Sequence, residues 1–267
     1  MLYFDHAATT PVHPKVVKKM EDVSRQDYGN PSSVYSSGRV AKSIIEDARS
    51  QIASLIDASP SEIYFTGSGT EANNIVLWSM LYNEKKHVIT SAIEHPAVLK
   101  VLEELQYFGI TFDVLPVDST GLVDPKDVEM AIKKDTGMIS IMYVNNEIGT
   151  IQSLQKLIEI SKKRSILFHS DCVQVVGKLP LSVLKIEADY MTFSAHKFYG
   201  PKGIGFLYRR KGAPLRPLVI GGGQESNIRA GTENISGIAG LGVAAKLADQ
   251  NLNSRIDHLF QLEKYFK

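Results

Sequence analysis

Short runs rich in β-branched and aromatic residues alternate along this chain with stretches whose apolar residues recur every three or four positions, and this alternation limits the fold more than any other feature. The β-rich runs are Glu62 to Thr66, His87 to Thr90, Phe112 to Val117, Met138 to Val144, Ile166 to Asp171, Asp189 to Phe193 and Gly203 to Tyr208. Helical spacing falls near Thr70 to Tyr82, Pro96 to Tyr107, Pro125 to Lys133, Leu154 to Lys163 and Ile235 to Ala248. Strand then helix, repeated, predicts an α/β protein: a three-layer α/β/α domain with a mostly parallel sheet, its ligands beyond the carboxyl ends of the strands. Only Ser194 to Lys202 separate the last two strands. That is too few residues for a parallel crossover, so one strand is expected to be antiparallel, with a sharp turn around Lys197.

The chain has 267 residues, 43% of them hydrophobic and 22% charged, enough for one large core and unlike a disordered or fibrous sequence. Residues 1–250 are read as one large domain and 251–267 as the start of a further helix. Its sequence RIDHLFQLEKYFK sets Ile256, Leu259, Phe260 and Phe266 along one side, a stripe that needs the core, another chain or another domain to cover it. Thirty basic and twenty-nine acidic residues leave a net charge of +1, so no overall field draws in nucleic acid or an anionic membrane. Asp5 and His6 interrupt the amino terminus before an apolar run develops, so neither a leader nor a membrane anchor is expected. One cysteine, Cys172, cannot form an internal disulfide, which agrees with a reducing compartment such as the cytoplasm.

Three places could carry chemistry. Thr66-Gly67-Ser68-Gly69-Thr70-Glu71-Ala72 is a small-residue turn between a strand and a helix, where unpaired N–H groups and the Thr70 hydroxyl can hold a phosphate. The same turn reads as GxGxxA, and Glu94 beyond the next strand stands where a dinucleotide site places its ribose-binding acid, so a nicotinamide or flavin site is a rival. The second place is His169 to Gln174 at a strand's carboxyl end, where a buried Asp171 needs a partner. A metal held by His169 and Asp171 lacks a third ligand. The third is Ser194-Ala195-His196-Lys197 in the sharp turn. A lysine there becomes a nucleophile only if burial or nearby positive charge lowers its pKa. A phosphate cradle, a buried acid and an amine are together what a pyridoxal phosphate site requires, for the phosphate, the ring nitrogen and the aldehyde respectively.

At these residues the sequence resembles the cysteine desulfurases, the sulfur-mobilising group among class V aminotransferase-like enzymes. The likeness runs through YFDHAATTP at Tyr3, GNPSSV at Gly29, TGSGTEANN at Thr66, EHPAV at Glu94, NNEIGT at Asn145, HSDCVQ at His169, SAHKFYGPKGIG at Ser194, GGGQE at Gly221 and RAGTEN at Arg229. The resemblance implies the large domain of a fold type I pyridoxal 5'-phosphate enzyme. That enzyme converts L-cysteine to L-alanine and passes the sulfur to an acceptor, for iron–sulfur clusters or thiocofactors. It implies that Lys197 bonds to the cofactor aldehyde and later moves protons, and that His95 stacks on the ring and assists them. It further implies Asp171 on the ring nitrogen, Gln174 on the phenolic oxygen, and Gly69, Thr70, Ser194 and His196 on the phosphate. Asn146 would orient cofactor and substrate carboxylate. Thr232 would reach the phosphate of a neighbouring subunit, hence a homodimer, with a sulfur-acceptor protein as a further partner. Members of the family continue into a smaller carboxyl-terminal domain carrying the acceptor cysteine and an arginine for the substrate carboxylate. This sequence stops at Lys267, and Cys172 matches no acceptor position, so the chain alone is expected to be inactive or impaired. Other readings are a different class V activity, such as a selenocysteine lyase or an aminotransferase, and a non-catalytic interaction module.

Overall fold

The computed structural model describes residues 2–266. Nine α-helices and seven strands follow one another among the described residues: α1 Pro14–Gln26, α2 Ser36–Leu55, β1 Ile63–Thr66, α3 Gly69–Trp78, β2 His87–Ser91, α4 Pro96–Leu105, β3 Thr111–Leu115, α5 Pro125–Ala131, β4 Thr136–Ser140, α6 Leu154–Lys163, β5 Leu167–Asp171, α7 Val183–Ile186, β6 Tyr190–Ser194, β7 Gly205–Arg209, α8 Ile235–Gln250 and α9 Leu252–Phe266. The strands form one sheet in the order β1-β7-β6-β5-β4-β2-β3. β7 is antiparallel to both its neighbours, and every other pairing is parallel. The expected single antiparallel strand is thus β7, inserted between β1 and β6.

Alternate residues of each strand feed opposite layers, as the two-residue repeat of a strand dictates. Tyr64, Val88, Met138, Tyr190 and Leu207 pack with Ile75, Val76 and Leu77 of α3 and Val98 and Leu102 of α4. Their neighbours Phe65, Ile89, Ile139, Met191 and Phe206 face the larger core, built from α1, α2, α5, α6 and α8. The Phe193 and Phe206 rings stack at 4.3 Å across β6 and β7.

Helix starts follow local chemistry. α1, α4 and α5 each begin with proline after a residue whose side chain accepts an N–H of the first turn: His13, His95 and Asp124. α1 and α2 are elements that the sequence reading left without assignment. The buried face of α2 is Gly38, Ala41, Ile45, Ala48 and Ile52, a stripe at helical spacing but made mostly of small residues. It packs on α8, where a Cβ added to Gly242 would come within 2.8 Å of Ala48 Cβ. The strand expected to reach Val144 ends at Ser140. Beyond it the chain leaves the ladder, with Tyr143 N–H donating to the Asp171 carbonyl at 3.0 Å and Val144 bridging Ile151.

The last helix, α9, buries no residue, and Leu259, Phe260, Tyr265 and Phe266 are exposed. Its apolar stripe therefore does not fold onto the core. Lys267, the end of the expected terminal segment, lies outside the described residues. No helix among them is long and apolar enough to cross a membrane.

Candidate functional site

The carboxyl ends of β1, β5 and β6 converge on a cavity of about 260 Å3. Its lining includes Gly69, Thr70, His95, Asn146, Asp171, Gln174, Ser194, His196 and Lys197, so nine of the ten residues expected at the site are brought together. The tenth, Thr232, is exposed in the segment before α8 and does not line the cavity.

The turn expected to cradle a phosphate opens α3. Ser68 caps the helix, its hydroxyl accepting Glu71 N–H at 3.1 Å, and Thr66 Oγ1 donates to the Ser68 carbonyl at 2.9 Å. Glu71 in turn accepts Gly67 N–H at 2.9 Å and pairs with Arg229 at 2.8 Å, fixing the turn from outside. β7 passes directly behind: a Cβ on Gly205 would lie 3.0 Å from Gly69 N and 2.7 Å from Ser68 C, so only glycine permits this approach. The Gly69 and Thr70 N–H groups and the positive dipole end of α3 are left for an anion.

Asp171 ends β5 and is 6% exposed. Val173 N–H donates to Oδ1 at 3.0 Å and Asn73 Nδ2 to Oδ2 at 2.7 Å. Burial pushes this carboxyl above the usual range, while those two donors and the His95 and Lys197 charges pull it down. Cys172 is fully buried beside it, and burial pushes its thiol up, away from nucleophilic thiolate.

Lys197 sits in the short helical turn after β6, half-buried, its Nζ donating to the Ala7 carbonyl at 2.6 Å. Burial lowers its pKa, against the pull of Asp171 and Asp5. Ala7 also accepts from Gln174 Nε2 at 2.9 Å, and Lys178 Nζ donates to Gln174 Oε1. Burial, with Lys197 nearby, pushes Lys178 down to about 8. The His196 imidazole is held low by burial and by Lys197, Lys202 and Lys178, so it is neutral near pH 7. His95 uses Nδ1 to accept Ala97 N–H at 3.1 Å, which leaves Nε2 to carry the proton of the neutral ring.

Sequence reading missed three contributors. The amino-terminal segment clamps the lysine turn: Thr10 N–H donates to the His196 carbonyl at 2.9 Å, and Thr10 Oγ1 accepts Tyr199 N–H at 2.7 Å. Lys178 and Asn73 were likewise given no role, although Asn73 is a polar residue among the buried apolar positions of α3, a signal that could have been read. The dinucleotide alternative fails at Glu94. That side chain is 6% exposed and its Oε1 is occupied by Ser91 Oγ at 2.6 Å and Met142 N–H at 2.9 Å, so it offers nothing to a ribose. Among the described residues no group of three or more His, Cys, Asp or Glu could hold a metal ion.

Residues 2–266 match the family described as aminotransferase class-V. The chain is 47% identical to a cysteine desulfurase IscS from Dictyoglomus turgidum, over 99% of this chain and 68% of the relative. A solved NifS-like protein superposes with a TM-score of 0.96 at 42% identity, covering 99% of this chain and 74% of that one. A solved structure of SspA in complex with cysteine gives 0.89 at 39% identity, with 92% and 72% covered. The chain spans about two thirds of the length of the curated relatives it matches.

Proposed function

The chain belongs to the aminotransferase class V family, among relatives named cysteine desulfurases, and from that premise we propose that it binds pyridoxal 5'-phosphate in the Asp171–Lys197 cavity and uses it to remove sulfur from L-cysteine, leaving L-alanine. The observation that carries this reading is the opening of a lysine amine, a buried carboxylate and a helix amino terminus onto one cavity. The donor set fits the cofactor: N–H groups and hydroxyls for its phosphate, an acid for its ring nitrogen, an amine for its aldehyde. When bound, the cofactor supplies an aldehyde that condenses with amines and a protonated ring that withdraws electrons from the bond to be broken.

The chain's own residues then divide the work. Gly69, Thr70, Ser194 and His196 hold the phosphate at the end of α3, where the helix dipole favours its charge. Asp171 accepts the ring N–H, a charge-assisted bond that contributes on the order of 1.5–3 kcal/mol. Gln174 turns its amide N–H2 toward the phenolic oxygen, since Lys178 already engages Oε1. Lys197 Nζ would hold the aldehyde and carry protons, its lowered pKa raising the fraction of free amine. His95 stacks on the ring and exchanges a proton at Nε2, and Asn146 orients the substrate carboxylate. The sulfur passes to an acceptor outside this set, because Cys172 is sealed in the core. Thr232, exposed and away from the cavity, is left to reach the phosphate of a second copy in a homodimer.

Pyridoxal phosphate followed by borohydride and peptide mass analysis tests the assignment. Label on Lys197 is expected, and label elsewhere overturns it. Incubated with L-cysteine, the chain alone is expected to release little sulfide. Robust release that persists in Cys172→Ser would overturn the account of the sulfur step.

A further inference from the structure

Asn73 is 1% exposed, on the face of α3 that otherwise packs against the sheet, and it also lines the cavity. A side-chain amide at such a place is costly unless both its ends are bonded. Both are. Nδ2 donates to Asp171 Oδ2 at 2.7 Å, and Oδ1 accepts from Thr192 Oγ1 at 2.6 Å. Thr192 is 0% exposed and is the register partner of Asp171 across the parallel β5–β6 pair. The carboxylate, which only accepts, therefore fixes the direction of the amide, and the Thr192 hydroxyl donates to the oxygen left on the other side. Turned the other way, the amide would set its oxygen against a carboxylate oxygen, an unfavourable contact of two acceptors. Asp171 Oδ1 is held by Val173 N–H, so each carboxylate oxygen has one fixed donor and a lone pair remaining for the cavity. No arginine or lysine donates a hydrogen bond to the group among the described residues, so these two neutral donors, together with His95 and Lys197 acting through space, oppose the burial that favours the uncharged acid.

We propose that Asn73 is a positioning residue: locked by Thr192, its amide keeps the Asp171 carboxylate ionised and turned into the cavity, and so sets the preference for a ligand bearing a cationic aromatic N–H. The inference rests on the reading that the cavity takes pyridoxal phosphate, and it concerns recognition of the ring nitrogen rather than the amine chemistry at Lys197.

Equilibrium dialysis of the ligand-free protein with two probes separates the two. One probe is pyridoxal phosphate; the other is its 1-deaza analogue, in which a C–H replaces the ring nitrogen. The unaltered chain is expected to prefer pyridoxal phosphate by roughly tenfold or more, the size of a charge-assisted hydrogen bond. In Asn73→Ala that preference should collapse toward unity while affinity for the deaza analogue changes less than about threefold. Thr192→Val keeps Asn73 but frees its oxygen, and should lose part of the preference; it decides the matter if Asn73→Ala does not fold. Full preference in both variants overturns the inference and leaves the cofactor reading intact. Equal loss of both probes overturns it too, since Asn73 would then only support the fold. Equal affinity of the unaltered chain for the two probes overturns the inference alone, whereas failure to bind pyridoxal phosphate at all overturns the cofactor reading and the inference with it.

Discussion

Two buried carboxylates that tie segments together, Asp189 and Glu225, and the one in the cavity wall, Asp171, are satisfied in different ways. Asp189, just before β6, accepts Phe168 N–H at 2.7 Å on one oxygen and two Arg210 nitrogens at 2.9 and 2.6 Å on the other. Glu225 takes both arms of the Arg49 fork at 2.8 Å and Phe65 N–H at 2.7 Å. In the cavity wall, Asp171 has two neutral donors, one on each oxygen. Arginine saturates an acid that ties segments together. An acid that must answer a ligand is left short of partners, and its protonation becomes responsive to what enters.

The sharpest way to break this contrast is Glu225→Ala. It leaves Arg49 largely buried without its fork partner and Phe65 N–H unpaired, so unfolding in urea should show a loss of about 3–5 kcal/mol, with cofactor affinity little changed. A loss under about 1 kcal/mol would remove the distinction. Asp171→Asn should do the reverse. Cofactor affinity measured by dialysis should fall by about 1.5–3 kcal/mol, tenfold or more, while the ligand-free protein loses far less stability than with Glu225→Ala.

Glu94 carries a pH signature. Burial pushes it up to about 8 from 4.5, so between those values the folded chain keeps a proton that the unfolded chain has released. Its contribution to stability is therefore complete at pH 4 and lost as pH rises toward 8. Glu94→Gln mimics the protonated form. Relative to the unaltered chain it should gain on the order of 3 kcal/mol between pH 5 and pH 8, read from melting curves at both. A parallel pair of curves would mean that Glu94 is ionised in the folded protein.

Legibility varied with the range of the interactions. α6 is Leu154–Lys163 as the spacing predicted, and the antiparallel last strand followed from counting residues between two β-rich runs. α1 and α2 were not read: α1 buries only Val16 and Val23, and much of the α2 stripe is alanine and glycine, residues too small to mark a buried face by themselves. At the site, the residues with unusual local settings were visible: glycines at a helix start, an acid ending a strand, a lysine in a sharp turn. Asn73 and Lys178 were not: the partners of Asn73 lie 98 and 119 residues away, and Lys178 resembles an ordinary surface lysine until its burial is known. The same holds for Ala7, whose contribution is a backbone carbonyl that no residue type announces.

The order of strands and helices, the reversal before β7 and the glycine turn that opens α3 were determined by the sequence alone, because periodicity, loop length and backbone freedom act over a few neighbouring residues. Which buried acids are saturated and which are left open was decided only by tertiary structure. Asn73 meets Asp171 across 98 residues of chain and Thr10 meets His196 across 186, and such pairs exist only once the sheet has been assembled in the order β1-β7-β6-β5.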